Sequence, residues 1–207
     1  MKISNVCFKA AVIGSLVCSS ALAQGAFIGF EGDYSFKSNN KIKEDDGESS
    51  KYHDNQFGLG IKAGYDFDVA RVYGKYSYSL KASQRIIDEE DDLKLSWKTH
   101  RFLLGADYTP QIAQDFKLVL GGYTGLAVQK TTADVHEFNV GKYIIKANQK
   151  GWVLGAKIGG IYSINANNEI EFGYRADRTD YRASKKLESV DNKETNHGFY
   201  LGYNYKF

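Results

Sequence analysis

The end of the chain, residues 197–207 (HGFYLGYNYKF), changes character at every step. His197, Phe199, Leu201, Tyr203, Tyr205 and Phe207 fall on one phase; Gly198, Tyr200, Gly202, Asn204 and Lys206 fall on the other. A period of two is the side-chain period of a β-strand, whose successive residues point to opposite faces. A helix would scatter these aromatics around its circumference. The segment is therefore a strand with one aromatic, apolar face and one small or polar face, and the fold must give each face its own surroundings.

The same alternation recurs seven times upstream. Residues 26–36 set Ile28, Phe30, Gly32, Tyr34 and Phe36 against Glu31 and Asp33. Residues 56–68 set Phe57, Leu59, Ile61, Ala63, Tyr65 and Phe67 against Lys62 and Asp66, and 71–82 set Val72, Gly74, Tyr76, Tyr78 and Leu80 against Arg71, Lys75 and Lys81. Four more segments follow: 96–108 around Phe102 and Leu104, one from 115 around Leu118 and Leu120, one ending near 164 around Leu154 and Ile158, and 169–177 around Phe172 and Tyr174. Their opposite faces carry Arg101, Asp107, Lys117, Lys157, Glu169, Glu171 and Arg175. No apolar set contains Asp, Glu, Lys or Arg. A soluble sandwich would tolerate outward charge and would bury its apolar face. A lysine or arginine facing lipid at mid-membrane costs ~2–4 kcal/mol. The pattern predicts an all-β fold, an eight-stranded antiparallel transmembrane β-barrel.

The connections alternate in length. They are short around Val69, from Thr109 to Gln114 and from Asn165 to Asn168, and long at about 37–54, 83–95, 130–149 and 178–194. Short turns at one end and four long extracellular loops at the other are the barrel pattern, with the short turns periplasmic. The one proline, Pro110, falls in a short turn, where it removes no ladder bond. Around Asn139-Val140-Gly141 the third long connection keeps strand character and is predicted to protrude as a hairpin. Tyr34, Tyr65, Phe67, Tyr108, Tyr162, Tyr205 and Phe207 lie near strand ends, as aromatic girdles do.

The front of the chain has a different logic. Lys2 and Lys9 bracket a basic stretch, residues 10–23 are apolar, and Ala21-Leu22-Ala23 is a small-x-small cleavage site. Residues 1–23 are predicted to be a cleaved signal peptide and 24–207 the barrel. Cys18 suggests a lipoprotein, but Val17 occupies the place where lipidation wants a small residue. Both cysteines lie in the leader, so the barrel has neither disulfide nor thiolate chemistry. Lys2 and Lys9 also account for the whole formal charge of +2. The neutral remainder argues against nucleic acid, which favours a basic excess.

A chain of eight such strands ending on an aromatic strand and a phenylalanine resembles the small outer-membrane barrels: the OmpA transmembrane domain, OmpX and the opacity-type proteins. The likeness covers residues 26–207 and rests on architecture and the terminal strand. It implies the outer membrane of a Gram-negative bacterium, a monomer, and contact with outer-membrane lipid and lipopolysaccharide. It also implies that Phe199, Leu201, Tyr203, Tyr205 and Phe207 form the signal read by the barrel assembly machinery. With nothing following Phe207, no peptidoglycan-binding domain is expected.

Three places could carry chemistry. An eight-stranded barrel has an interior that side chains just fill. Glu31, Asp33, Lys62, Lys75, Arg101, Lys157, Glu171 and Arg175 point there, and buried charges must pair, so an ion-pair network plugging the lumen is expected. Inward glycines (Gly58, Gly60, Gly64, Gly121, Gly125, Gly155, Gly159) suggest spare room and keep a small diffusion channel as the alternative. The acidic clusters at 44–48 and 88–92 lack the spacing of a Ca²⁺ loop, so no metal and no cofactor are expected. Ile42, Ile86, Ile87, Phe138, Ile144 and Ile145 are apolar residues of the long connections, open to either a partner contact or hairpin packing. The histidines, His53, His100, His136 and His197, are not followed two residues later by serine as in lipid A-modifying barrels, so an enzyme is the least favoured reading. The favoured one is a non-enzymatic surface protein whose barrel anchors exposed loops for envelope integrity, adhesion or contact with a host ligand.

Overall fold

The donors and acceptors of an extended segment are satisfied sideways, and in this chain the sideways pairing runs full circle. The computed structural model describes residues 25–43, 49–87, 91–137, 141–182 and 191–207. Among them the strands are β1 (Ala26–Lys43), β2 (Ser49–Asp66), β3 (Ala70–Ile87), β4 (Asp91–Tyr108), the short β5 (Gln111–Ala113), β6 (Phe116–Glu137), β7 (Gly141–Ser163), β8 (Asn168–Arg182) and β9 (Asp191–Lys206). Eight of them form one antiparallel sheet in the order β4-β3-β2-β1-β9-β8-β7-β6, and β4 pairs with β6 to close it. β5 only flanks the start of β6, where Gln111 opposes Lys117. Closure removes every open edge, which is how a sheet can cross hydrocarbon with its backbone satisfied.

The ring is staggered. A lateral path through Phe27, Gly64, Tyr73, Gly105, Tyr123, Gly155, Asp177 and Asn196 follows paired residues from strand to strand. It does not return to Phe27, because Gly198 opposes Ser35 and Thr195 opposes Asn39. A path across the strands therefore climbs away from the short turns, and the strands tilt against the barrel axis.

Alternation places every second side chain inside. Val119, Val153 and Ile161 are fully buried, while Leu104 and Leu154 on the outer face are 70% and 66% exposed. Phe30, Leu59, Ile61, Phe102, Trp152, Phe199 and Leu201 share that outer face. An apolar exterior around a polar interior inverts the arrangement of a water-soluble protein, and hydrocarbon is the medium that suits it.

The short turns are built locally. Asp68 adopts φ 69, a left-handed conformation that Asp tolerates, and its amide donates to the Asp66 carboxylate at 2.9 Å. In the turn after β7, the Asn165 side-chain oxygen accepts from the amides of Asn167 and Asn168, both at 3.0 Å. Pro110 lies between β4 and β5, and its carbonyl accepts from Leu118.

At the other end the long connections continue as strand pairs before their tips. Ser49 pairs with Lys43, Asp92 with Ile87, Gly141 with Glu137 and Asn192 with Tyr181. The ladders extend because the inward phase continues: Thr179, Tyr181, Glu194 and Asn196, in the span read as a loop or at its border, are all buried. The tips at 44–48, 88–90, 138–140 and 183–190 and the leader 1–23 lie outside the described residues. So do the side chains of both acidic clusters and of the six apolar residues noted in the long connections.

Candidate functional site

The interior is where this chain spends its charge. Eight acids and six bases are buried among the described residues. All eight lumen residues singled out from the sequence are in this set. Arg175 on β8 reaches β1, with 2.9 Å to Glu31 and 2.5 Å to Asp33. Lys62 on β2 lies 2.6 Å from Glu171 and 3.4 Å from Glu31. Lys75 on β3 donates to Glu31 as well. Lys157 on β7 bridges Glu171 at 2.9 Å and Asp107 at 2.8 Å. Glu31 and Glu171 are the hubs, and their cations come from four different strands in all. A carboxylate that accepts from two or three cations is satisfied on both oxygens, as desolvation requires.

Arg101 is separate from these hubs. It pairs with Glu194 at 3.3 Å and donates to Ser79 at 3.3 Å. Tyr181 donates to Glu194 at 2.6 Å, Tyr123 donates to Asp177 at 3.0 Å, and Asn196 donates to both Glu194 and Asp177. A third cluster closes the end with the short turns. Arg71 lies between Asp66 at 2.7 Å and Glu169 at 2.8 Å, over the ring of Phe27. Lys206, 3.1 Å from Asp66, covers this cluster, with Lys117 at 3.8 Å.

The expectation that inward glycines leave room is overturned. A methyl at Gly155 would meet the Tyr123 ring at 2.4 Å, at Gly64 the Tyr73 Cβ at 2.7 Å, and at Gly159 the Tyr200 hydroxyl at 2.7 Å. At Gly58 and Gly121 it would meet Asp33 and Asp107, at Gly60 the Lys75 stem, and at Gly125 the Phe102 carbonyl. Each glycine is a socket for a neighbouring group. Gly64, Tyr73, Gly105, Tyr123 and Gly155 are consecutive in register, so glycine and tyrosine alternate around the wall. The tyrosines also cover the cations: Lys157 sits 4.6 Å from the Tyr73 ring and 5.5 Å from that of Tyr200.

Sequence reasoning left Asp66, Arg71, Asp107, Glu169, Asp177, Glu194 and the four buried tyrosines out of the network. The signal was present. Each lies on the inward phase of its strand: Asp66, Arg71, Asp107 and Glu169 already stand opposite the apolar sets near strand ends, but only mid-strand charges were assigned to the network, while Tyr181 and Glu194 fall in the span read as a loop.

On the outside, Phe199, Leu201, Tyr203, Tyr205 and Phe207 are all exposed along β9 and the residue after it. The Phe207 ring meets Tyr205 edge-on at 5.2 Å, and its amide donates to Ala26 at 3.0 Å. His100 is tied to Tyr76, ring nitrogen to hydroxyl at 2.8 Å, and His197 lies against Tyr174. Neither has a serine or carboxylate partner among the described residues.

The comparisons with known proteins point one way. Ail, the attachment invasion locus protein of Yersinia pestis, is 18% identical, with 88% of this chain and 99% of that one covered and a TM-score of 0.50, which shows the shared fold. Neisserial surface protein A is 19% identical over 89% of this chain and 100% of its own, TM-score 0.47. Outer membrane protein H of Pseudomonas aeruginosa is 25% identical over 88% and 99%, TM-score 0.47. No curated protein sequence matches. The model of the outer membrane protein beta-barrel domain matches residues 10–207. With that match over nearly the whole chain, and with its own closed eight-stranded ring, the chain belongs to the outer membrane protein beta-barrel family.

Proposed function

We propose that this protein is a non-enzymatic surface protein of a Gram-negative outer membrane. The leader 1–23 is removed, β9 presents the assembly signal, the barrel is a closed anchor, and the hairpins beyond the membrane do the work, in envelope integrity or in attachment. The observation that carries this reading is the lumen. Six buried bases and seven of the eight buried acids are cross-linked there by ion pairs between strands, and tyrosine rings fill the glycine sockets. A path for solutes would require breaking several buried pairs at once, and removing one partner of such a pair costs about 3–5 kcal/mol.

A small diffusion channel is the second reading. Arg71 Nη1, Asp107 Oδ1 and Asp33 Oδ1 are buried without a protein partner and could hydrate a path. One experiment separates the two. The protein is refolded into a planar bilayer, folding is confirmed by a heat-dependent gel shift, and single-channel current is recorded. A silent bilayer is expected. Discrete openings that change when Lys62, Lys75 or Arg101 is neutralised would establish the channel instead.

A further inference from the structure

The closure that leaves the sheet without edges in the membrane ends above it. β2 and β3 are joined by nine rungs, from Asp66–Arg71 at the short turns to Gly58–Ser79. A tilted strand needs about 9–11 residues to cross hydrocarbon, so these rungs suffice for the belt. Both strands extend farther, β2 to Ser49 and β3 to Ile87, and among the described residues no further rung joins them. There Ser49–Asp54 pairs with β1 alone and Ala82–Ile87 with β4 alone. The parting coincides with two shifts of register, between Ser35 and Ser38 on β1 and between Ser79 and Ala82 on β3. Such irregularities bend a strand and raise its twist. The result is a seam between two blades, β2-β1-β9 on one side and β3-β4-β6-β7 on the other. Water tolerates these edges where hydrocarbon would not, but an edge with unpaired donors and acceptors is a template for a further strand.

The rungs fix which residues share each face of the blades. Glu194 is buried and Lys193 exposed, so the row Lys51–Lys41–Lys193 across β2, β1 and β9 stands on the outer face. Thr99 is buried and Lys98 exposed, so alternation along β4 puts Lys94 and its partner Arg85 on the outer face too. The acids in these two rows, Asp180 and Asp134, lie on the far side of the cations from the seam. On the inner face of the larger blade, Ile86 pairs with Leu93, Gln84 with Leu95 and Ala82 with Trp97. The seam is therefore bordered by cations on its outer face and, along β3, by a mostly apolar inner face.

We infer that the β3 edge, Ala82–Ile87, is the docking site for an extended peptide segment of a partner protein, which adds a strand to the larger blade within the seam. The peptide alternates, with acidic residues on the phase shared with Arg85 and Lys51 and apolar residues on the phase shared with Ala82 and Ile86. The charges choose the partner. A second copy would bring the same cations to the same edge, and like charges across a rung are unfavourable. An acidic strand meets them with opposite sign. The inference deepens the attachment reading and rests on it, but it does not depend on whether the lumen conducts.

The test titrates the folded protein in lipid nanodiscs with a labelled peptide of alternating glutamate and valine, about one strand long. Fluorescence anisotropy reads affinity and amide hydrogen exchange reads place. The glutamate–valine peptide is expected to bind at least roughly tenfold more tightly than its fully N-methylated form, which keeps the side chains and has no backbone donor, or than a lysine–valine peptide. It should slow exchange at those amides of 82–87 that β4 does not hold. The double variant K51E/R85E, shown folded by gel shift, should reverse the preference toward the lysine–valine peptide. Equal binding of the N-methylated form, protection confined to other strands, or an unchanged preference in K51E/R85E would overturn the site. Edge amides of 82–87 that are protected without peptide, or in step with a concentration-dependent dimer, would overturn the peptide as occupant in favour of this chain itself or a second copy. Cells displaying the protein that adhere although the peptide fails would refute the edge and leave attachment standing. A protein that takes the peptide and confers no adhesion would refute attachment and leave the edge standing.

Discussion

At the scale of the residue, glycine has two opposite meanings in this protein. Gly155 and Gly64 are small so that a tyrosine ring can lie against the wall, whereas Gly32 is small on an open outer face. Sequence alone gives the two classes the same letter. Phase tells inward from outward, but it does not say whether a neighbour fills the space, because the filling ring comes from a strand whose register the sequence does not print. The difference is measurable. Gly155→Ala forces the Tyr123 ring to move, and overpacking of this kind costs about 1–3 kcal/mol. Gly32→Ala should change the unfolding free energy by no more than about 0.5 kcal/mol. Urea titration of both variants in lipid vesicles checks the pair, and equal effects would refute the socket description.

At the scale of the element, a strand is read most securely where both of its faces have a defined environment. All eight barrel strands were legible, and so were their apolar sets, because the exterior excludes Asp, Glu, Lys and Arg. The strand ends were not, because above the apolar belt the outward phase turns polar and alternation fades. β8 runs on to Arg182 because inward Thr179 still has Glu194 across from it, and Tyr181 donates to the same carboxylate. The lumen charges were legible as a set of inward positions. Their partners were not, since Glu31 on β1 and Arg175 on β8 meet over the intervening β9 and not along the chain. Depth along a strand should be readable in stability. Leu201→Lys in the middle of β9 is expected to cost about 2–4 kcal/mol in vesicles, and Tyr205→Lys near its end about 0–1 kcal/mol. A flat profile would contradict a membrane-crossing β9.

At the scale of the whole molecule, the ring is the unit of structure. β9 is hydrogen-bonded to β1 on one side and to β8 on the other, so no subset of strands leaves the sheet without two open edges. Deleting residues 191–207 should therefore abolish the compact heat-shifted gel band altogether rather than yield a smaller stable barrel, and slow amide exchange should be lost from β1 as well as from β8. Survival of protected amides in β1 to β4 would show that half the sheet stands alone. The same closure also bears on timing. β9 is the last barrel strand to leave the ribosome, yet it is the neighbour that the first strand needs. The opening strand must wait, one edge unpaired, through the synthesis of everything between. A chain cut short in the making never acquires its seam, so the order of the sequence itself acts as an inspection that only a finished molecule passes.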